Sequence, residues 1–133
     1  MHIVLFIIAG LFVFFIGIQL LTVMKIKKQK GKPAPNIDGK AGKIIENGGT
    51  ALFYFHSPRC SACKKMTPFM RELEKKHQNI FTYDLTSDLA AARAFGVLAT
   101  PTSIIVSKNT IQEILLGPYA ESTIIETFDK FKV

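Results

Sequence analysis

Apolar and polar positions fall along this chain in two unlike regimes. From Ile3 to Met24 the side chains are almost wholly apolar, with only Gln19 and Thr22 as polar interruptions, and no face is reserved for water. A helix of that length reaches roughly 33 Å, enough to cross the hydrocarbon core of a bilayer. A cleaved signal peptide is the competing reading. It is disfavoured because no basic segment precedes the apolar run and no small-x-small site closes it at Leu21–Lys25. The expectation is a transmembrane anchor over residues 1–24.

Beyond residue 43 the pattern changes to short apolar runs and amphipathic stretches. Ile44-Ile45-Glu46 reads as a short helix stopped by Gly48-Gly49, and Thr50 to Phe55 as a buried strand. After it comes a helical period with Cys63, Met66, Phe69, Met70, Leu73 and His77 on one face, with Glu72 and Lys76 spaced to pair and Asn79 as its end. Pro68 falls inside this helix and predicts a kink. Ile80 to Leu85 reads as a second strand, and Asp88 to Phe95 as a helix with Ser87 as N-cap and Gly96 as its stop. Thr102–Val106 and Thr110–Leu116 form strands joined at Ser107-Lys108-Asn109, and Glu121–Phe131 is a helix turning Ile124, Ile125, Phe128 and Phe131 inward. This order predicts an α/β domain over residues 44–133, a mixed central sheet with helices on both faces.

Charge sharpens the division. The chain of 133 residues carries a formal charge of +7. Lys25, Lys27, Lys28, Lys30, Lys32, Lys40 and Lys43 face Asp38 alone, leaving ten basic and nine acidic residues from Ile44 onward. Lysines directly after an apolar span read as a topology signal and a lipid-headgroup contact rather than a nucleic-acid patch. Residues 25–43, with Pro33-Ala34-Pro35, are expected to form a basic linker lifting the domain off the bilayer. The positive-inside rule places the domain in the cytoplasm, the extracytoplasmic side being the alternative.

The chemistry centres on Cys60-Ser61-Ala62-Cys63, which holds both cysteines of the chain where the first strand gives way to its helix. Two intervening residues bring both sulfurs to a helical first turn, whose unpaired N–H groups and dipole stabilise a thiolate. Half of a zinc site is another reading, but two further ligands would have to come from His2, His56, His77 or carboxylates. His56 with Met66 and Met70 would offer a soft copper site. The plainer expectation is that His56 ends the strand, the methionines pack in the core and His77 is solvated.

The element order, with C-x-x-C at the first strand–helix junction, resembles the thioredoxin family. Phe95-Gly96-Val97-Leu98-Ala99-Thr100-Pro101-Thr102 is similar to the segment leading to that family's cis-proline, and Pro68 and Gly117 fall where the family also has a proline and a glycine. The resemblance implies that Cys60 is the attacking thiolate, Cys63 the resolving thiol, and Thr100-Pro101 a substrate-binding segment opposite the sulfurs. It also implies protein thiol or disulfide substrates, a reductase or oxidant partner, and no cofactor beyond the Cys60–Cys63 disulfide. Three departures stand out: Arg59 replaces the usual Trp, Ser61-Ala62 replaces Gly-Pro, and Tyr54 occupies the place of a buried acid. Arg59, Ser61, Ala62 and Lys64 are therefore the candidates for tuning the thiolate. Their pattern suggests a potential between about −270 and −120 mV. The function expected is that of a membrane-anchored thiol-disulfide oxidoreductase, the alternatives being a copper or zinc delivery module or a redox-inactive adaptor.

Overall fold

The strand that the sequence marks as central is buried along its whole length. A computed structural model describes residues 1–132; Val133, the expected last residue of the domain, lies outside the described residues. In it β1, Ala51–His56, is flanked in the order β2-β1-β3-β4 by Ile80–Asp84, Thr102–Ser107 and Thr110–Leu116. β1 runs parallel to β2, with His56 opposite Asp84, and antiparallel to β3, with Phe55 opposite Thr102. A strand with neighbours on both edges and helices on both faces has no wet side, so all six residues of β1 are buried.

Among the described residues five helices accompany the sheet: α1 His2–Lys27, α2 Gly39–Glu46, α3 Cys63–Lys76, α4 Leu89–Phe95 and α5 Glu121–Lys130. Side chains alternate across a strand, and the two faces of β1 feed two cores. Phe53 and Phe55 pack with Ala41 and Ile45 of α2 and Phe95 of α4, the rings of Phe53 and Phe95 lying 4.7 Å apart. Leu52 and Tyr54 pack with Met66, Met70 and Leu73 of α3 and with Ile124 and Phe128 of α5. Each fully buried large side chain contributes about 1.5–3 kcal/mol of transfer free energy. The expected mixed sheet with helices on both faces is thus observed.

Local chemistry accounts for the turns. Gly96 takes the left-handed conformation that ends α4, at φ 67°. The β3–β4 connection is tighter than expected: only Lys108 and Asn109 lie between the strands, both at positive φ, a two-residue turn whose twist matches that of the strands. At the same end Thr50 and Ser107 both donate to the Phe131 carbonyl, at 2.7 and 3.0 Å, fixing the end of α5.

Several expectations are corrected in detail. α3 stops at Lys76, and Asn79 instead donates its side-chain amide to the Thr50 carbonyl at 2.9 Å. Glu72 pairs with Lys75 at 3.0 Å, not with Lys76. α4 begins one residue late, with Asp88 rather than Ser87 at its N-cap. Ile125 stays exposed, because α5 lies on the sheet through Ile124 and Phe128. α2 begins at Gly39, so the packed part of the chain starts before residue 44.

The basic segment after α1 is not free. The N–H groups of Gly31 and Ala34 donate to the Ile111 and Asn109 carbonyls, and Ile111 donates back to Lys32, so residues 31–34 form a strap along β4. Ile26, in the last turn of α1, is 2% exposed and packs in the same core as Phe53. At the opposite edge, β2 directs alternate N–H groups away from β1. That of Thr82 is taken by the Glu74 carboxylate at 3.0 Å, and that of Asp84 by Asp88 at 3.2 Å.

Candidate active site

The carboxyl end of β1 delivers the chain into a short turn, in which the Cys60 N–H donates to the Ser57 carbonyl at 3.1 Å. Cys60 therefore precedes the helix and Cys63 is its first residue, rather than both lying within its first turn. The two are joined as a disulfide, with Cα atoms 5.3 Å apart. Their environments differ: Cys60 is partly exposed, whereas Cys63 is 2% exposed under the start of α3. The Cys63 N–H donates to the Cys60 sulfur at 3.2 Å. An amide at a helix start directed at a sulfur stabilises negative charge there.

The remaining sequence-predicted residues gather at this end of the sheet. Arg59, Ser61 and Lys64 are exposed around the disulfide, and Ala62 is half-buried as the N-cap of α3. Thr100-Pro101 is a cis peptide. Pro101 is buried, and its carbonyl accepts from the Gly117 N–H at 2.8 Å. Because Thr102 pairs with Phe55, register brings Pro101 level with His56, where the cysteine turn departs. Two motifs about forty residues apart in sequence thus reach the same end of adjacent strands.

Beside the disulfide lies a cleft of about 410 Å³ lined by Cys63, His56, Thr67, Arg71 and Asp84, among others. His56 ends β1, buried, with its ring 5.5 Å from that of Tyr54. Burial holds its pKa below the usual imidazole value; Arg71 pushes the same way, and Asp84, Asp88 and Glu74 oppose. The hydroxyl and N–H of Thr86 hold the Asp84 carboxyl below its ordinary range. Burial raises the pKa of Tyr54, partly countered by its hydrogen bond with Thr67. Arg71 and Asp84 escape sequence reasoning because their arrival at this cleft depends on strand register and helix phase together. Met66 and Met70 are buried among core side chains, 1% and 0% exposed, as the plainer reading expected. His77, expected to be solvated, is half-buried just past the end of α3.

A dithiol/disulfide pair with one accessible and one sheltered sulfur is suited to exchanging two electrons with a partner through a mixed disulfide. Comparison with known proteins gives this arrangement its lineage. The thioredoxin family model matches residues 40–130. The chloroplast M-type thioredoxin of Spinacia oleracea is 25% identical over 91 residues, covering 66% of this chain and 50% of that protein. Thioredoxin M4 of Arabidopsis thaliana is 26% identical over 94 residues, covering 68% and 49%. The chain thus spans about half the length of these curated relatives. Among solved structures, Fasciola hepatica thioredoxin superimposes with a TM-score of 0.56 at 24% identity, covering 68% of this chain and 88% of that one. A mutant thioredoxin from Halobacterium salinarum gives 0.59 at 18% identity, covering 77% and 97%. These two likenesses are of fold. With the family model matched over residues 40–130, about two thirds of this chain, and the cysteine pair at the expected junction, the chain belongs to the thioredoxin family.

Proposed function

We propose that this protein is a membrane-anchored thiol-disulfide oxidoreductase acting on protein substrates through Cys60 and Cys63. The observation that carries the proposal is the asymmetry of the pair: a partly exposed Cys60 whose sulfur accepts the Cys63 N–H, and a buried Cys63. In the reductive direction the Cys60 thiolate attacks one sulfur of a substrate disulfide, forming a mixed disulfide and releasing the other sulfur as a thiolate. Cys63, losing its proton, then attacks the Cys60 sulfur, and the substrate leaves as a dithiol. Two electrons pass to the substrate and the protein is left oxidised. A reductase must restore it, or an oxidant if the direction is reversed. The reading calls for no bound cofactor. Thr100-Pro101 is the proposed rest for an extended substrate segment, and Arg59, Ser61, Ala62 and Lys64 the surroundings that set thiolate stability.

The anchor in this reading is α1, whose 26 residues are long and apolar enough to cross a bilayer. A retained helix here makes the protein single-pass, with residues 3–24 in lipid. The lysines that follow favour a cytoplasmic domain, against the extracytoplasmic alternative.

The test uses the full chain in detergent micelles, assayed for reduction of insulin disulfides in dithiothreitol. The wild type is expected to accelerate the reaction, Cys60→Ser to abolish the acceleration, and Cys63→Ser to accumulate a mixed disulfide. Full acceleration by Cys60→Ser, or none by the wild type, overturns the reading.

A further inference from the structure

The strap and the end of α1 fix which end of the sheet the apolar helix leaves from. Followed backwards from Ala34, the chain climbs β4 residue by residue. Ala34 bonds to Asn109, Pro33 bridges Thr110, and Gly31 and Lys32 bond to Ile111. Lys30 pairs with Glu113 at 2.9 Å. Lys27 and Val23 then border a cleft with Ile114, Leu116 and Tyr119. The order is monotonic, from the hairpin end of β4 to its carboxyl end. Leu116 there pairs with Thr102, and the next residue, Gly117, donates to the Pro101 carbonyl. The helix therefore departs beside the cis-proline segment, at the end of the sheet that bears the disulfide.

The departure is held firmly. Ile26 is buried in the domain core, and the Gln29 amide lies where a side chain at Gly96 would meet it, near the start of the segment leading to Pro101. Every large apolar side chain of α1 from Ile3 to Met24 remains exposed, so the helix projects clear of the domain. Leu98, 59% exposed in that same segment, adds an apolar residue to this end.

Resting on the membrane-anchored reading above, we propose that the Cys60–Cys63 end of the domain faces the bilayer surface, and that the substrates are cysteines of membrane proteins lying at the lipid–water interface. A domain tethered by a loose linker would sample all orientations and serve soluble partners equally. Here the tether runs along β4 and enters the core, so the reacting sulfurs and the anchor share one side. The Lys108-Asn109 turn occupies the far end. β4, with seven residues at about 3.3 Å each, separates the two ends by roughly 20 Å.

The test measures height above the membrane in the full chain. In a Cys60→Ser, Cys63→Ser background, Leu98→Cys or Lys108→Cys carries a donor fluorophore. The protein is reconstituted into phosphatidylcholine–phosphatidylglycerol vesicles containing an acceptor-labelled lipid. Co-flotation with the vesicles is checked first. Stronger energy transfer from position 98 than from position 108 is the expected result. Equal transfer, or stronger transfer from 108, overturns the proposal while leaving the anchor intact; failure to float overturns the anchored reading and the proposal with it. A disulfide-bearing peptide attached to a lipid headgroup supplies the functional counterpart. The wild type is expected to reduce it faster on a short tether than on a long one, and the reverse order overturns the proposed substrate class.

Discussion

The hydroxyl of Tyr54 lies 2.9 Å from that of Thr67, a hydrogen bond that ties the middle of the central strand to the helix opened by Cys63. Tyr54 is completely buried, so its polar tip has to be satisfied within the protein. Tyr54→Phe leaves the ring in place and removes only this bond, at a cost of about 1 kcal/mol. For a domain of this size that amounts to a fall in Tm of roughly 4–8 °C, measurable by thermal unfolding in detergent. An unchanged Tm would show that the Thr67 hydroxyl finds equal company elsewhere.

Accessibility orders the reactivity of the two thiols. In the reduced full chain, brief treatment with iodoacetamide is expected to modify Cys60 and spare Cys63, which is 2% exposed beneath the start of α3. Peptide mass spectrometry after alkylation reads the ratio, and equal modification would remove the asymmetry on which the proposed mechanism rests.

Arg59 and Lys64 are exposed and flank the cysteines in sequence, where positive charge favours the thiolate and so stabilises the reduced form. Replacing either with Gln should lower the potential of the couple. An exposed charge contributes about 0.2–1 kcal/mol, which for a two-electron couple is roughly 5–20 mV. Equilibration against glutathione buffers measures it, and a shift upward would contradict the assignment.

The lowered pKa of His56 has a definite sign in stability. The native state keeps the imidazole neutral where the unfolded chain, titrating near 6.5, already takes up a proton. Its contribution is complete above that value and is lost as pH falls below about 6.5 towards the folded pKa. Arg71 acts in the same direction, while Asp84, Asp88 and Glu74 limit the effect. Urea unfolding of wild type and His56→Phe between pH 8 and 5 should show a shallower decline in the variant. Parallel curves would mean that other groups govern the acid limb.

What could be read from sequence, and what could not, divides along the range of the interactions. β1, α3 and the β3–β4 pair declare themselves because burial on both faces, helical period and turn residues are written within a dozen positions. Cys60-Ser61-Ala62-Cys63 is legible for the same reason, whereas Thr100-Pro101 is legible only through the resemblance to the thioredoxin family. The meeting of His56 with Asp84 was not, since it depends on the pairing register of two strands separated by a helix. The strap was missed because a Lys-, Gly- and Pro-rich segment has the composition of a linker whether or not an edge strand bonds it. Ile26 falls within the segment expected to be a linker, and only its neighbours in space reveal that it belongs to the core. Ile125 erred the other way: helical phase allowed it inward, but α5 touches the sheet over a narrower stripe.

Both rims of the sheet are occupied in part. Residues 31–34 occupy the start of β4, and the carboxylates of Glu74 and Asp88 take the outward N–H groups of Thr82 and Asp84 on β2. A strand approaching β2 would have to displace negative charge before it could form a ladder. Under the proposed anchoring, copies would share the plane of a membrane, where lateral encounters are frequent, and these contacts would then keep neighbouring sheets from joining through β2 into a continuous ribbon.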